Sequence, residues 1–174
     1  MHKIAAYKFL LFIFIISPIR AWSQKTPPAD TLLDRLTGEW LLKGVIAGKQ
    51  VEHHIVAEWV LGHQYLQLKE TSREKQANGY PVYDAIVYIT FDALHNQYDC
   101  LWLDNTSNVG LSNGIIAHAK REANQLALLF KFNDHSYFHT TLSYNVANSS
   151  WHWLMTSEDN DKVESFADAA MVKI

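Results

Sequence analysis

From residue 38 onward, apolar and polar residues alternate in short runs. Leu126, Leu128, Phe130 and Phe132 share one side of the run Gln125 to Phe132. Tyr98, Cys100 and Trp102 do the same in Gln97 to Asp104, as do Trp151, Trp153 and Met155 in Trp151 to Ser157. A period of two sends successive side chains to opposite faces of a pleated strand, so each run reads as a strand with one apolar face. The pattern predicts strands at 38–47, 50–61, 64–71, 82–91, 97–104, 112–120, 125–132, 136–145, 151–157 and 163–173. Most are rich in Val, Ile, Thr, Tyr, Phe or Trp, which suit a pleated surface. Turn residues fill the gaps: Ala47-Gly48-Lys49, Asn78-Gly79-Tyr80-Pro81, Asn133-Asp134-His135 and Glu158-Asp159-Asn160-Asp161. Pro81 is the only proline after residue 28, so the strands keep their ladder donors.

A helical spacing is read once. Asp30 can cap a brief helix over Thr31 to Leu36, with Leu32, Leu33 and Leu36 on one side. No later stretch holds that period over three turns. About ten short strands with tight connections and no crossover helices predict an all-β domain, an antiparallel up-and-down β-barrel with a short N-terminal helix. Closure removes exposed edges, and a sandwich is the other arrangement. A barrel of eight or more strands has room for a small ligand. Alternation shows which residues share a face, but not which face is interior.

The start of the chain follows a different pattern. Lys3 and Lys8 precede an apolar run, Phe9 to Ile16, and Ser17-Pro18 breaks it. Ala21 and Ser23 then place small residues at the −3 and −1 positions of a cut before Gln24. This is the order of a secretory signal peptide, and the apolar run is shorter than the ~20 residues that span a bilayer. The expected organisation is a signal peptide at 1–23, a linker and short helix at 24–36, and the barrel at 37–174. The expected location is exported, periplasmic or extracellular, with no stable membrane insertion after cleavage. An uncleaved anchor is the alternative. No cysteine closely follows the apolar run to carry a lipid.

The 174 residues suffice for one domain, and 13% aromatic content argues for a packed core rather than disorder. Formal net charge is −3, and losing Lys3, Lys8 and Arg20 takes it to −6, so no nucleic-acid partner is expected. One cysteine allows no intramolecular disulfide and no Cys-rich metal site, so Cys100 is expected to be buried as a small hydrophobe.

Several of these residues carry a family resemblance. Gly38-Glu39-Trp40 opens the first predicted strand, Leu61 to Gln67 leads into the third, Tyr88 to Asp92 ends the fourth, and Leu101 to Asn105 ends the fifth. Their order and spacing resemble the bacterial domain-of-unknown-function family 1579, a lipocalin-like barrel of the calycin superfamily, over roughly residues 36–174. The resemblance implies the fold and supplies little chemistry, since the family's activity is unassigned. It also implies that Trp40 is structural. The chain departs from the family in having Thr90-Phe91-Asp92 for Gly-Tyr-Asp, and Lys173 where an arginine often closes the barrel over Trp40. Lysine can stack there too, less well than a planar guanidinium.

The aromatic residues are the leading functional candidates. Trp59, Tyr65, Tyr88, Trp102, Phe130 and Trp153, with His118 and His139, are the expected ligand-binding set for a small, largely apolar molecule. The competing reading is that the aromatics simply fill the core. Nine histidines raise the question of metal, but no His-Glu-x-x-His occurs, and His53 and His54 point to opposite faces of one strand. His135 and His139 are four apart on a loop and strand, where that spacing spreads ligands. No metal site and no resident cofactor are therefore expected. Among calycin barrels, the nitrobindins hold heme through a late-strand histidine. His139 and His152 are the late-strand histidines here, but the nitrobindin signature around the first strand is incomplete. No Gly-x-Ser-x-Gly or Gly-rich phosphate loop appears, and no catalytic residue is assigned. Glu158 to Asp161 lacks the spacing of a calcium loop. Asp92 and Asp104 read as carboxylates that tie strand ends to the next loop. The functional expectation is a ligand-binding barrel. The alternatives are an enzyme on a lipid-like substrate, a heme barrel, or a structural protein with a filled core.

Overall fold

The computed structural model describes residues 31–106, 115–120 and 122–174. The signal peptide and linker expected at 1–30 lie outside the described residues. A six-residue helix, α1 (Thr31–Leu36), leads directly into β1 (Gly38–Ile46). The strands that follow are β2 (Lys49–Val60), β3 (Tyr65–Ser72), β4 (Asp84–Asp92), β5 (Gln97–Asp104), β6 (Ile116–Lys120), β7 (Gln125–Lys131), β8 (Ser136–Asn145), β9 (Ser150–Asp159) and β10 (Lys162–Lys173). These match the strands read from alternation to within two residues at nearly every end. The exception is the start of the sixth, where 112–114 lie outside the described residues.

Each strand pairs antiparallel with its sequence neighbour, and β1 pairs with β10, closing the barrel. The order is up-and-down, with no crossover. Trp40 sits between Ile55 and Lys173 in register, and Trp102 lies opposite Val87. Alternation then assigns the interior: Leu42, Ile55, Leu68, Val87, Cys100, Leu128, Leu142 and Trp153 are buried on one shared face. Burial drives the Cys100 thiol up to about 12, so it stays protonated and behaves as a small apolar group.

The wall leaves no room for a side chain at Gly44, where β1 meets β10. A Cβ built on Gly44 would lie 2.2 Å from the Asp168 carbonyl oxygen and 2.4 Å from Ala169 Cα. Only a residue without a side chain lets the two backbones approach so closely.

The helix covers one end of the barrel. Leu32, Leu33 and Leu36 are almost fully buried and join the core. Trp40 Nε1 donates to the Leu36 carbonyl at 2.7 Å, and Lys173 Nζ lies 5.4 Å from the centre of the Trp40 ring. Lysine thus takes the place over Trp40 where the resemblance suggested an arginine. The turns at 47–48, 73–83, 132–135 and 160–161 lie at the opposite, helix-free end.

Candidate functional site

Two kinds of side chain meet inside the helix-free end. The first is a chain of aromatic rings. Trp153, fully buried, lies 5.5 Å from Trp102 between ring centres, and Trp102 lies 6.4 Å from Phe130. Phe130 is 6.5 Å from Phe138, and Phe138 is 5.2 Å from Phe166 in an edge-to-face contact. The path starts in the core and ends at the surface, with Phe130 buried between two half-buried rings. Trp153 is 2% exposed, Trp102 and Phe138 are half-buried, and Phe166 is 38% exposed. Phe166 reaches Phe138 because the ladder between β9 and β10 shifts register between Ser165 and Ala167.

The second is a polar cluster. His53 Nδ1 and Glu70 Oε1 are 2.6 Å apart, and both side chains are nearly inaccessible to water. The Tyr83 ring stacks on the His53 ring at 5.5 Å and 17°. Tyr83 is held by its backbone, whose N–H donates to Ser72 Oγ while its carbonyl accepts from the Ser72 N–H. Its hydroxyl accepts a bond from Trp102 Nε1 at 3.1 Å, which joins the cluster to the aromatic path. Burial is the main reason that the Tyr83 phenol titrates far above the ordinary tyrosine range. The nearby Glu70 and Asp104 carboxylates add to the effect, and the bond from Trp102 works against it. Tyr83 is therefore a neutral hydroxyl at any physiological pH. The second carboxylate oxygen, Glu70 Oε2, is buried with no hydrogen-bond partner among the described residues.

Of the eight residues expected to bind ligand, the structure brings three to this site: Trp102, Phe130 and Trp153. Trp59 faces inward but belongs to the helix end, where Nε1 donates to Asp34 Oδ1 at 2.8 Å and the ring stacks on His63 at 4.2 Å. Tyr65, Tyr88, His118 and His139 lie on the outer face, because the strand neighbours of each turn inward. Tyr88 accepts from Gln67 Nε2 there, and His118 pairs with Asp99. His139 pairs with Glu158 at 2.9 Å and His152 with Asp168 at 2.7 Å, so neither late-strand histidine is placed to ligate a heme held inside. Asp104 accepts from the Thr106 backbone and hydroxyl, the loop-fixing role expected of it, while Asp92 accepts from the Leu94 and His95 amides. No cluster of three metal-ligating side chains occurs among the described residues.

Sequence reasoning missed Glu70 and Tyr83 as site residues. A signal was present for Glu70, because it shares its strand face with Leu66 and Leu68. A carboxylate on an apolar face calls for a partner. Tyr83 gave no such signal, since it sits just before β4 and its position depends on Ser72 across the sheet.

No family model matches this chain, and no curated protein does. Among solved structures, the chain is similar to the crystal structure of Rv2717c from M. tuberculosis. The TM-score is 0.56 at 10% identity, covering 82% of this chain and 94% of that one. Likeness at that identity carries the barrel fold and nothing of the chemistry.

Proposed function

We propose that this protein is an exported lipocalin-like barrel, of the kind found in family 1579, that holds a small, largely apolar molecule at its helix-free end. The observation that carries this reading is the ring path Trp153–Trp102–Phe130–Phe138–Phe166, which runs from the core to half-exposed side chains. Half-exposed aromatic rings joined to a packed core offer apolar area that a ligand can cover, at about 25 cal/mol per Å² removed from water. Trp102 and Tyr83 supply the few polar atoms that orient it. The charged, apolar and small-residue order of residues 1–23 supports export to the periplasm or beyond. The test is quenching of intrinsic tryptophan fluorescence by a panel of fatty acids, quinones, tetrapyrroles and apolar amines. Saturable quenching by at least one class is expected, and Trp102→Ala weakens it by about five- to tenfold. Silence across the panel returns the protein to a structural role.

One observation favours a second reading, an enzyme acting on a lipid-like substrate at the same place. A buried imidazole–carboxylate contact such as His53–Glu70 is a common general-base arrangement. Turnover of a bound ligand, abolished in His53→Gln while binding persists, would establish it.

A further inference from the structure

Resting on that ligand-binding reading, we infer that the bound molecule is an apolar amine whose ammonium group seats on Glu70 Oε2. The buried polar side chains of the described chain are His53, Glu70, Ser72 and Thr140. Thr140 is engaged by Trp153 Nε1 at 2.6 Å, and the Ser72 hydroxyl bonds the Glu74 carbonyl and the Tyr83 amide. His53 occupies one Glu70 oxygen, which leaves Oε2 as a buried acceptor with no donor. A carboxylate oxygen accepts and does not donate, so its complement is an N–H or O–H group.

Charge narrows the choice. The carboxylates of Glu70 and Asp104 both act on Tyr83, and no lysine or arginine is among the buried residues described. A carboxylate head would set a second acceptor against Oε2, while an ammonium brings the donors that oxygen lacks, with His53 already on the other oxygen. Trp102, linked through its Nε1 to the Tyr83 hydroxyl, joins this polar cluster to the aromatic path. An apolar body then lies along Phe130 and Phe138.

The probes are four molecules with one tail and different heads: decylamine, decanol, decyl methyl ether and decanoate. Dissociation constants come from tryptophan fluorescence titrations on the wild-type protein and on Glu70→Gln, at equal salt and below micelle formation. Decylamine is expected to bind wild type at least about tenfold more tightly than the ether, and decanoate most weakly. Glu70→Gln replaces one acceptor with an amide donor. It should erase the preference for the amine over the ether, whose oxygen can accept from the new amide. Equal binding of all four probes overturns the head-group inference and leaves the apolar site standing. So does an amine preference unchanged in Glu70→Gln, which would mark attraction by the acidic surface. Failure of all four to bind overturns this inference, and failure of the wider panel as well removes the binding reading beneath it. If the variant does not fold, the wild-type ranking still decides, since amine no tighter than ether is fatal.

Discussion

At the scale of single residues, the two most informative positions are a glycine and a glutamate. Gly44 marks where β1 and β10 are pressed together, with the Asp168 carbonyl oxygen 2.2 Å from where a Cβ would stand. The neighbour is backbone in a closed ladder and cannot step aside. Gly44→Ala should therefore destabilise the fold by about 1–3 kcal/mol, the usual cost of overpacking, read as a lower urea midpoint by circular dichroism. An unchanged midpoint would mean that the wall yields there. Glu70 gave the opposite kind of signal, a charge where the strand pattern wants an apolar residue. The sequence offered His53 as one of an adjacent histidine pair facing opposite ways. His53 shares its strand face with Ile55, Ala57 and Trp59, but its meeting with Glu70 depended on the pairing of β2 with β3, which local pattern does not encode.

At the scale of elements, α1 is the piece that would not exist alone. Six residues are too few to offset helix nucleation in water. Tertiary contacts hold it: three buried leucines, the Trp40 bond to the Leu36 carbonyl, the Trp59 bond to Asp34, and Arg35 stacked 5.1 Å from the Tyr144 ring centre. Leu33 is fully buried within this cap. Leu33→Ala should cost about 2–5 kcal/mol, and at about 2–4 °C per kcal/mol for a chain of this size it lowers Tm by roughly 4–20 °C. A thermal melt checks this, and a shift within error would show that the helix is a loosely attached cover. The leucine spacing made the helix legible in the sequence. Its role as the cover of one barrel end was not, because the tryptophans that grip it, Trp40, Trp59 and Trp151, come from β1, β2 and β9.

At the scale of the whole molecule, the outer wall carries repeated histidine–carboxylate pairs: His54–Glu39, His118–Asp99, His139–Glu158, His152–Asp168 and His95–Asp92. In the last pair, the hydrogen bond to Asp92 and its charge hold the His95 imidazole above the ordinary histidine value. The bond from His95 is the main reason that Asp92 lies below the usual carboxylate value. The raised histidine contributes stability below its unfolded pKa and loses it as pH rises through the folded one. The lowered aspartate contributes above its unfolded pKa and loses it as pH falls through the folded one. The two overlap in mildly acidic solution. His95→Ala should thus lower Tm by a small amount near about pH 5.5 and by nothing near about pH 9, with salt shrinking the difference. An equal loss at both values would assign the effect to packing instead.

Local pattern alone determined nearly all the strands, the helix, the buried thiol and the all-β class, because side-chain alternation and turn chemistry are properties of neighbours along the chain. It could not choose an inside. Once the ends of a ten-stranded ladder join, one face of every strand becomes interior together, and β1 against β10 is a pairing between the two ends of the barrel sequence. That closure sent Tyr65, Tyr88, His118 and His139 to the outside and kept Trp102, Phe130 and Trp153 within. It also brought His53, Glu70 and Tyr83, from three different segments, into one water-poor cluster.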